Sequence, residues 1–567
     1  MKRGLFTGSL VAGLSLCMQA QAAWLQICPA SNTAEPGRPQ AQITRHENTA
    51  LLASITDTPA SAGCQQLELV VPASDVVGLL PITARLSAEL VPWLSLSGKT
   101  QGSRFLFGEV TSGKPAPTHA LAPQPFPLRT NLLGSLNATP FGAEKRTRVT
   151  LANGQLSLQC TPGRQPAGLV LSANAYLPRA RTRLQISGSG SGRFEIVTVN
   201  AEQAAIESGS RLGYFEAQGL ARTQTYDLST RPVWQDWRHW TLACPADSAQ
   251  LQLNRLELLP QTVTTPARAA WVWQAGEWQH QPDSVLRLAK KYALRTLYIT
   301  IPVVAGAVQN PERLAAFIRR AGAADIGVWA VDGDPNMVQL QERPATLERA
   351  RAYARFNRTM PLGARLKGVQ FDVEPYLLTG YELATDAWEQ RYVELVKALH
   401  GGDPDIAQGT LALEMVVPFW WAGKPGLLDA MAPWVTGLVV MDYRTDASDI
   451  YRFAVPFLDW GERHGKAVRI ALEAGPIAPE TRYRYEQAPE GELWQVQLGE
   501  HHFLLMLRSA RPNPLGTAFR RVSSYEISGS ATTFHGDTAR LLRQLPELET
   551  VFSAWPGFGG MALHELR

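Results

Sequence analysis

Two carboxylates stand two residues apart in the run Leu366-Lys-Gly-Val-Gln-Phe-Asp-Val-Glu-Pro-Tyr376. The run alternates in character and breaks at Pro375, which predicts a β-strand over Leu366–Glu374. A strand sends residues i, i+2 and i+4 to one face, so Gln370, Asp372 and Glu374 project together, while Val369, Phe371 and Val373 face the other way. Unpaired charge is costly to bury. Two carboxylates on one buried face therefore point to a tuned pair, one raising or holding the pKa of the other for general acid work.

Such a pair needs a frame that presents strand ends to substrate. From residue 268 to residue 567 strand-like runs alternate with amphipathic helices, the texture of a parallel α/β core. The strands read as Ala270–Trp273, Thr296–Ile301, Ile326–Val331, Leu366–Glu374, Thr410–Val417, Gly437–Tyr443, Val468–Glu473 and Gly560–Leu563. Eight strands in this length predict a (β/α)8 TIM barrel, whose site lies at the C-terminal strand ends. There the sequence places Asp332 after the third strand and Tyr376 after the fourth, with Trp329 at similar depth. Phe419, Trp420 and Trp421 follow the fifth; Met441, Asp442 and Tyr443 end the sixth. Glu473 ends the seventh, and His564 follows the eighth. The aromatics are candidates for sugar faces, and Asp332 and Asp442 for substrate hydroxyls. Residues 476 to 533 are too long for a loop and predict an inserted β element that includes Leu493–Leu507.

Ahead of the barrel the chain reads as β-rich. Residues 23–140 predict a small β domain, closed by a proline-rich linker over 112–130. Residues 145–262 predict a β-sandwich of jelly-roll character, which could serve carbohydrate binding or act as a spacer. The expected class is thus a multidomain chain, with N-terminal β-rich domains followed by a C-terminal (β/α)8 barrel. Residues 1–22 have the form of a signal peptide. Lys2 and Arg3 precede an apolar run, and Ala20-Gln21-Ala22 is an A-x-A cleavage site. That predicts a secreted or periplasmic protein. No later stretch is long and apolar enough to span a membrane. Cys28, Cys64, Cys160 and Cys244 then predict two disulfides, taken between sequence neighbours among three connectivities. No close Cys/His spacing suggests a metal, and nothing calls for a cofactor. A net charge of +4 over 567 residues gives no reason to expect nucleic acid or another polyanion.

The fourth-strand run resembles the signature of family 18 glycoside hydrolases (chitinase-like), Asp-Gly-x-Asp-x-Asp-x-Glu. Gly368 matches the glycine, Asp372 the last aspartate and Glu374 the catalytic acid; Lys367 and Gln370 stand where the first two aspartates do. Val440-Met-Asp-Tyr-Arg444 resembles the family's Met-x-Tyr-Asp motif through Met441 and Tyr443, with Arg444 in place of aspartate. The closing Gly559-Gly-Met-Ala-Leu-His-Glu-Leu566 resembles its last strand, with His564 where a tryptophan is usual. The resemblance covers the last 300 or so residues. It implies substrate-assisted hydrolysis of a polysaccharide or oligosaccharide containing N-acetylhexosamine. Glu374 would be the general acid, while Asp372 and Tyr443 would hold the substrate's acetamido group.

Two other readings remain. Glu374 and Glu473 could be the acid/base and nucleophile of an ordinary retaining glycosidase, with carboxylates about 5 Å apart. Alternatively, a silent barrel could bind glycans or serve assembly of an envelope polysaccharide. Retention of Glu374 argues against the lectin-like loss of the acid.

Overall fold

A computed structural model describes residues 22–29, 42–45, 49–57, 64–82, 92–112, 123–142, 145–200, 210–228, 237–264, 267–378, 381, 385–402, 406 and 411–566. The chain is multidomain and rich in strand, and its contacts divide it into two compact units. The expected export signal falls outside the described residues. Among the described residues no helix is long and apolar enough to cross a membrane.

The first unit joins the N-terminal strands to residues 480–527. Strands Glu480–Ala488, Glu490–Leu498, His501–Pro512 and Gly516–Ile527 form one antiparallel sheet with Val76–Ile82, Trp93–Gln101 and Arg104–Ser112. The anticipated inserted element is therefore real, but it completes the N-terminal domain, whose boundary falls at Lys114 and not near residue 140. The run Phe503-Leu-Leu-Met-Leu507 explains why. Phe503, Leu505 and Leu507 pack in one core with Leu25, Leu69 and Trp494, while Leu504 and Met506 pack in a second with Leu94 and Tyr485. A strand buried on both faces loses its polar alternation and must be covered from both sides.

In the second unit, residues 137–260 build a nine-stranded antiparallel sheet organised on one 19-residue strand, Thr182–Asn200. The first half of that strand pairs with Arg222–Asp227 and Ala249–Pro260, and the second half with Ser210–Gln218 and Trp237–Ala243. Cys160 and Cys244 form a disulfide across this region, as expected from an oxidising compartment. Cys64 is also disulfide-bonded. The Cys28 side chain lies outside the described residues.

The remainder of this unit is a closed barrel of eight parallel strands: Arg268–Val272, Leu294–Thr300, Gly327–Asp332, Gly368–Phe371, Ala412–Pro418, Gly437–Met441, Ala467–Glu473 and Phe558–His564. All eight expected strands are present and neighbour one another in chain order. Helices lie in the connections, the longest being Arg343–Thr359 and Ala447–His464.

The sheet meets the barrel at a buried acid on the second of these helices. Asp459 Oδ1 accepts 2.7 Å hydrogen bonds from Trp555 Nε1 and from the Arg179 amide. Nearby, the Tyr451 hydroxyl donates to the Phe126 carbonyl at 2.8 Å. Burial pushes the Asp459 carboxyl up to about 7, against the opposing effect of its two donors. Its unfolded value is about 4, so the fold favours the protonated form. The stability this group contributes is full below about 4 and is lost as pH rises through about 7. Asp459→Asn keeps the Oδ1 acceptor and abolishes the charge. The variant should equal wild type near pH 3 and exceed it by a few kcal/mol, in order of magnitude, at pH 8. Urea unfolding across that range checks this; parallel curves for the two proteins would refute it.

Candidate active site

Parity along the parallel strands selects what enters the barrel lumen. Trp271, Tyr298, Val331, Val416, Val439, Met441, Ala471 and Ala562 pack together there, with Trp273, Trp329, Tyr376 and Tyr443 against them. At its centre lies a largely buried polar network. Trp271 Nε1 donates to Gln370 Oε1 at 2.6 Å, and Gln370 Nε2 donates to Glu414 Oε2 at 3.4 Å. The Tyr298 hydroxyl also donates to Glu414, whose other oxygen lies 3.8 Å from Arg469 Nε. Arg469 Nη1 donates in turn to the carbonyls of Ala267 and Gly559.

The fourth strand ends at Phe371, so Asp372 and Glu374 lie just beyond it. The alternation persists: Phe371 and Val373 are buried, while Asp372 and Glu374 are partly open. The Asp372 amide donates to the Asp332 carbonyl at 2.9 Å, which continues the ladder for one more residue. Gly333 allows this approach, since a Cβ there would stand 2.2 Å from the Asp372 carbonyl oxygen. Asp372 Oδ1 is buried with no hydrogen-bond partner. Burial, with the charge of Glu374 added, pushes this carboxyl up to about 7, and His564 opposes the shift. Glu374 accepts from the Tyr376 hydroxyl. Asp372 is thus pushed by its surroundings toward its protonated form near neutrality. Tyr376 holds its own proton firmly, through burial and the adjacent Glu374. Tyr443 is likewise raised by burial and by Glu473, Asp372 and Glu374, which places the sixth-strand tyrosine within reach of all three charges.

Across the lumen, Glu473 is fully engaged. The Gly475 amide donates to Oε1 at 2.6 Å, and His564 Nδ1 lies 2.7 Å from Oε2. Trp273 Nε1 donates to His564 Nε2 at 2.9 Å, so the neutral ring carries its proton on Nδ1, toward Glu473. The Tyr443 ring stacks on His564 with centroids 5.9 Å apart.

Asp372, Glu374, Tyr376, Met441, Tyr443, Glu473 and His564 are therefore brought together. Several other candidates are not. Gln370 is fully buried beneath the pair and held at both ends of its amide, so it supports the site from below. Trp329 packs where a Gly368 side chain would stand, 2.1 Å from the place of that Cβ, and so lies at the start of the fourth strand instead of its end. Asp332 is held by Arg349 Nε at 2.6 Å and by the Gly333 amide at 2.9 Å. Asp442 faces away from the lumen: its charged neighbours are Arg444, Asp449 and Arg452, and burial raises it well above a carboxylate's usual value. Trp421 is buried against Tyr392, whereas Trp420 is half exposed and meets the Tyr376 ring at 5.1 Å. Trp420 can still present a face to a sugar.

Two participants escaped sequence reasoning. Trp273 reads as an ordinary strand residue, and its partner is 291 positions away. Tyr392, on the helix Thr385–Lys397, has a buried hydroxyl with no partner and lies within the fields of Asp372 and Glu374. Only its alternation on a helix face was visible. No group of three or more His, Cys, Asp or Glu residues among the described residues could hold a metal.

No family model matches the chain, and no curated protein matches it. Solved structures of carbohydrate-binding module family 29 match about a fifth of it. One such module has 11% identity and a TM-score of 0.18, covering 22% of this chain and 80% of its own. A CBM29-2 mutant complexed with mannohexaose has 12% identity and a TM-score of 0.19, covering 22% of this chain and 82% of its own. Likenesses this low carry no argument about the site.

The lumen network gives a stability prediction. Removing one member of a buried ion pair leaves an uncompensated charge and costs about 3–5 kcal/mol. Arg469→Met should lose this much, and the double variant Arg469→Met with Glu414→Met should lose clearly less than the two single losses added. Urea denaturation of the three variants measures the coupling; strict additivity would mean that the pair is not formed.

Proposed function

We propose that this chain is an exported glycoside hydrolase, a divergent relative of the family 18 enzymes, acting on a polysaccharide that contains N-acetylhexosamine. The closed barrel with its helical connections is read as a (β/α)8 barrel. The observation that carries the proposal is the meeting of Asp372, Glu374, Tyr376 and Tyr443 at strand ends four and six, around a buried carboxyl with an unpartnered oxygen.

In this reading Glu374 gives its proton to the glycosidic oxygen as the bond to the anomeric carbon breaks. The substrate's 2-acetamido carbonyl oxygen bonds to that carbon, and the amide proton is drawn toward Asp372. Tyr443, which keeps its proton at any ordinary pH, donates a hydrogen bond to the same carbonyl. Water, deprotonated by the Glu374 carboxylate, then opens the cyclic intermediate and restores both groups. Trp420 and Tyr376 offer aromatic surface beside the pair.

The two-glutamate alternative has less support, because each Glu473 oxygen already holds a hydrogen bond from the chain itself. Attack through either oxygen would compete with a bond that oxygen already makes.

Fluorogenic N-acetylglucosaminide oligomers should be cleaved and plain glucosides should not. Glu374→Gln should lower kcat about 10²–10⁴-fold, and Tyr443→Phe should lower it less while the fold is kept. Cleavage of plain glucosides that is abolished by Glu473→Gln would replace this mechanism with double displacement. Binding of oligosaccharides without turnover would make the barrel a glycan-recognition module.

A further inference from the structure

The aromatic residues at the strand ends lead to a cation. The Arg444 guanidinium, just beyond the sixth strand, lies over the Phe419 ring at 4.4 Å and by the Phe453 ring at 5.5 Å. Those two rings pack on each other, with centroids 4.4 Å apart. Phe419 meets Trp420 at 5.2 Å, Trp420 meets Tyr376 at 5.1 Å, and the Tyr376 hydroxyl donates to Glu374. One row of contacts thus joins the guanidinium to the candidate acid. We propose that Arg444 is a specificity-determining residue that takes the carboxylate of a uronic acid, so that the glycan bound here is acidic as well as N-acetylated. This rests on the hydrolase reading for turnover, but not for binding.

Only part of the guanidinium is used by the fold. Nη1 donates to the Tyr443 carbonyl at 2.8 Å, which holds the group beside the end of the sixth strand. Among the described residues no carboxylate stands within ion-pair distance of Arg444, and its Nε and Nη2 meet no acceptor. Neither atom is buried, so both are open to solvent. The neighbouring acids do not answer the charge. Asp442 has both carboxyl oxygens buried with no hydrogen-bond partner, and Asp449 is paired with Arg452 at 2.7 Å. The edge formed by Nε and Nη2 is one that grips a planar carboxylate through two parallel N–H···O bonds. Stacking on Phe419 and Phe453 fixes the plane beforehand, so little freedom is lost when the ligand arrives. Trp420, with 49% of its surface exposed, offers a sugar ring a face along the same row. A neutral glycan would leave the free edge to water alone.

Calorimetric titration of the full chain tests this with two ligands. One is an oligosaccharide alternating N-acetylglucosamine and glucuronic acid; the other is the same oligosaccharide with each carboxyl reduced to a hydroxymethyl group. Wild type should bind the acidic form about tenfold to a hundredfold more tightly, the range expected of hydrogen bonds to a charged partner. The gap should narrow as salt rises. Arg444→Gln should lose the preference and bind the reduced form as wild type does. Arg444→Lys keeps the charge without the fork, so its preference should be weaker than that of wild type, and it serves as the second variant if Arg444→Gln does not fold. Equal binding of the two forms by wild type, or an undiminished preference in a folded Arg444 variant, overturns the proposal. An Arg444-dependent preference for a sulfated N-acetylglucosamine oligomer over the uronic-acid form overturns it too. Preference for the acidic form with no glycoside cleaved would sink the hydrolase reading and leave the acidic-sugar subsite standing. Cleavage of neutral N-acetylglucosamine oligomers with no preference for the acidic form would do the reverse.

Discussion

A closed barrel of parallel strands sends every second residue of each strand into one lumen, and whatever is polar there must find its partners among other lumen residues. That constraint organises this site. Gln370, Glu414, Tyr298, Trp271 and Arg469 come from five different strands and engage one another below the acid pair, although Arg469 Nε itself makes no hydrogen bond. Each is meaningless alone. Together they form a rigid polar plug on which Asp372 and Glu374 stand, and an unsatisfied member would cost roughly as much as a large part of a domain's net stability.

Against that background Asp372 is conspicuous. Its neighbours leave Oδ1 without a donor, and burial makes its charged form unfavourable. An ordinary folding requirement would place a leucine or an asparagine there. A carboxyl that burial pushes up to about 7 beside a second carboxylate is the kind of perturbation that clusters at acid–base sites. Asp459 shows that the same perturbation also occurs for structural reasons: it is raised as far, yet both of its donors lie at the contact between sheet and barrel. What separates the two is position and satisfaction, not the size of the shift.

Much of the frame was legible in the sequence because period-two alternation and strand–helix succession are local signals. All eight barrel strands and the inward parity of Met441 with Tyr443 could be read in this way, whereas the Cys160–Cys244 bond was one choice among three connectivities. What could not be read depends on encounters across the chain. Trp329 looked like a mouth residue because its strand was recognised, but its ring fills the space left by Gly368 one strand over. Asp332 looked available because its partner, Arg349, is set by tertiary placement, and Asp442 because its burial near Asp449 and Arg452 is set in the same way. The sheet that residues 480–527 complete was hidden for the same reason, since its other strands lie some 400 positions earlier in the chain.

The departures from the family-like pattern form one connected set. With glutamine at position 370, Asp372 has no acidic neighbour below it in the strand. With histidine at position 564, it has a basic one across the lumen. That histidine requires an anchor, and Glu473 supplies it, which removes Glu473 from the pool of free nucleophiles. Glu473 in turn requires a donor for its second oxygen, and Gly475 supplies its amide. A side chain at position 475 would collide with Glu565, 2.4 Å from its Cβ, so the glycine is needed for that approach. Placing a tryptophan at position 564 would therefore carry a cost. It would strand Glu473 with one empty oxygen and Trp273 with no acceptor, two buried polar losses that only coordinated changes at 273, 473 and 564 could relieve.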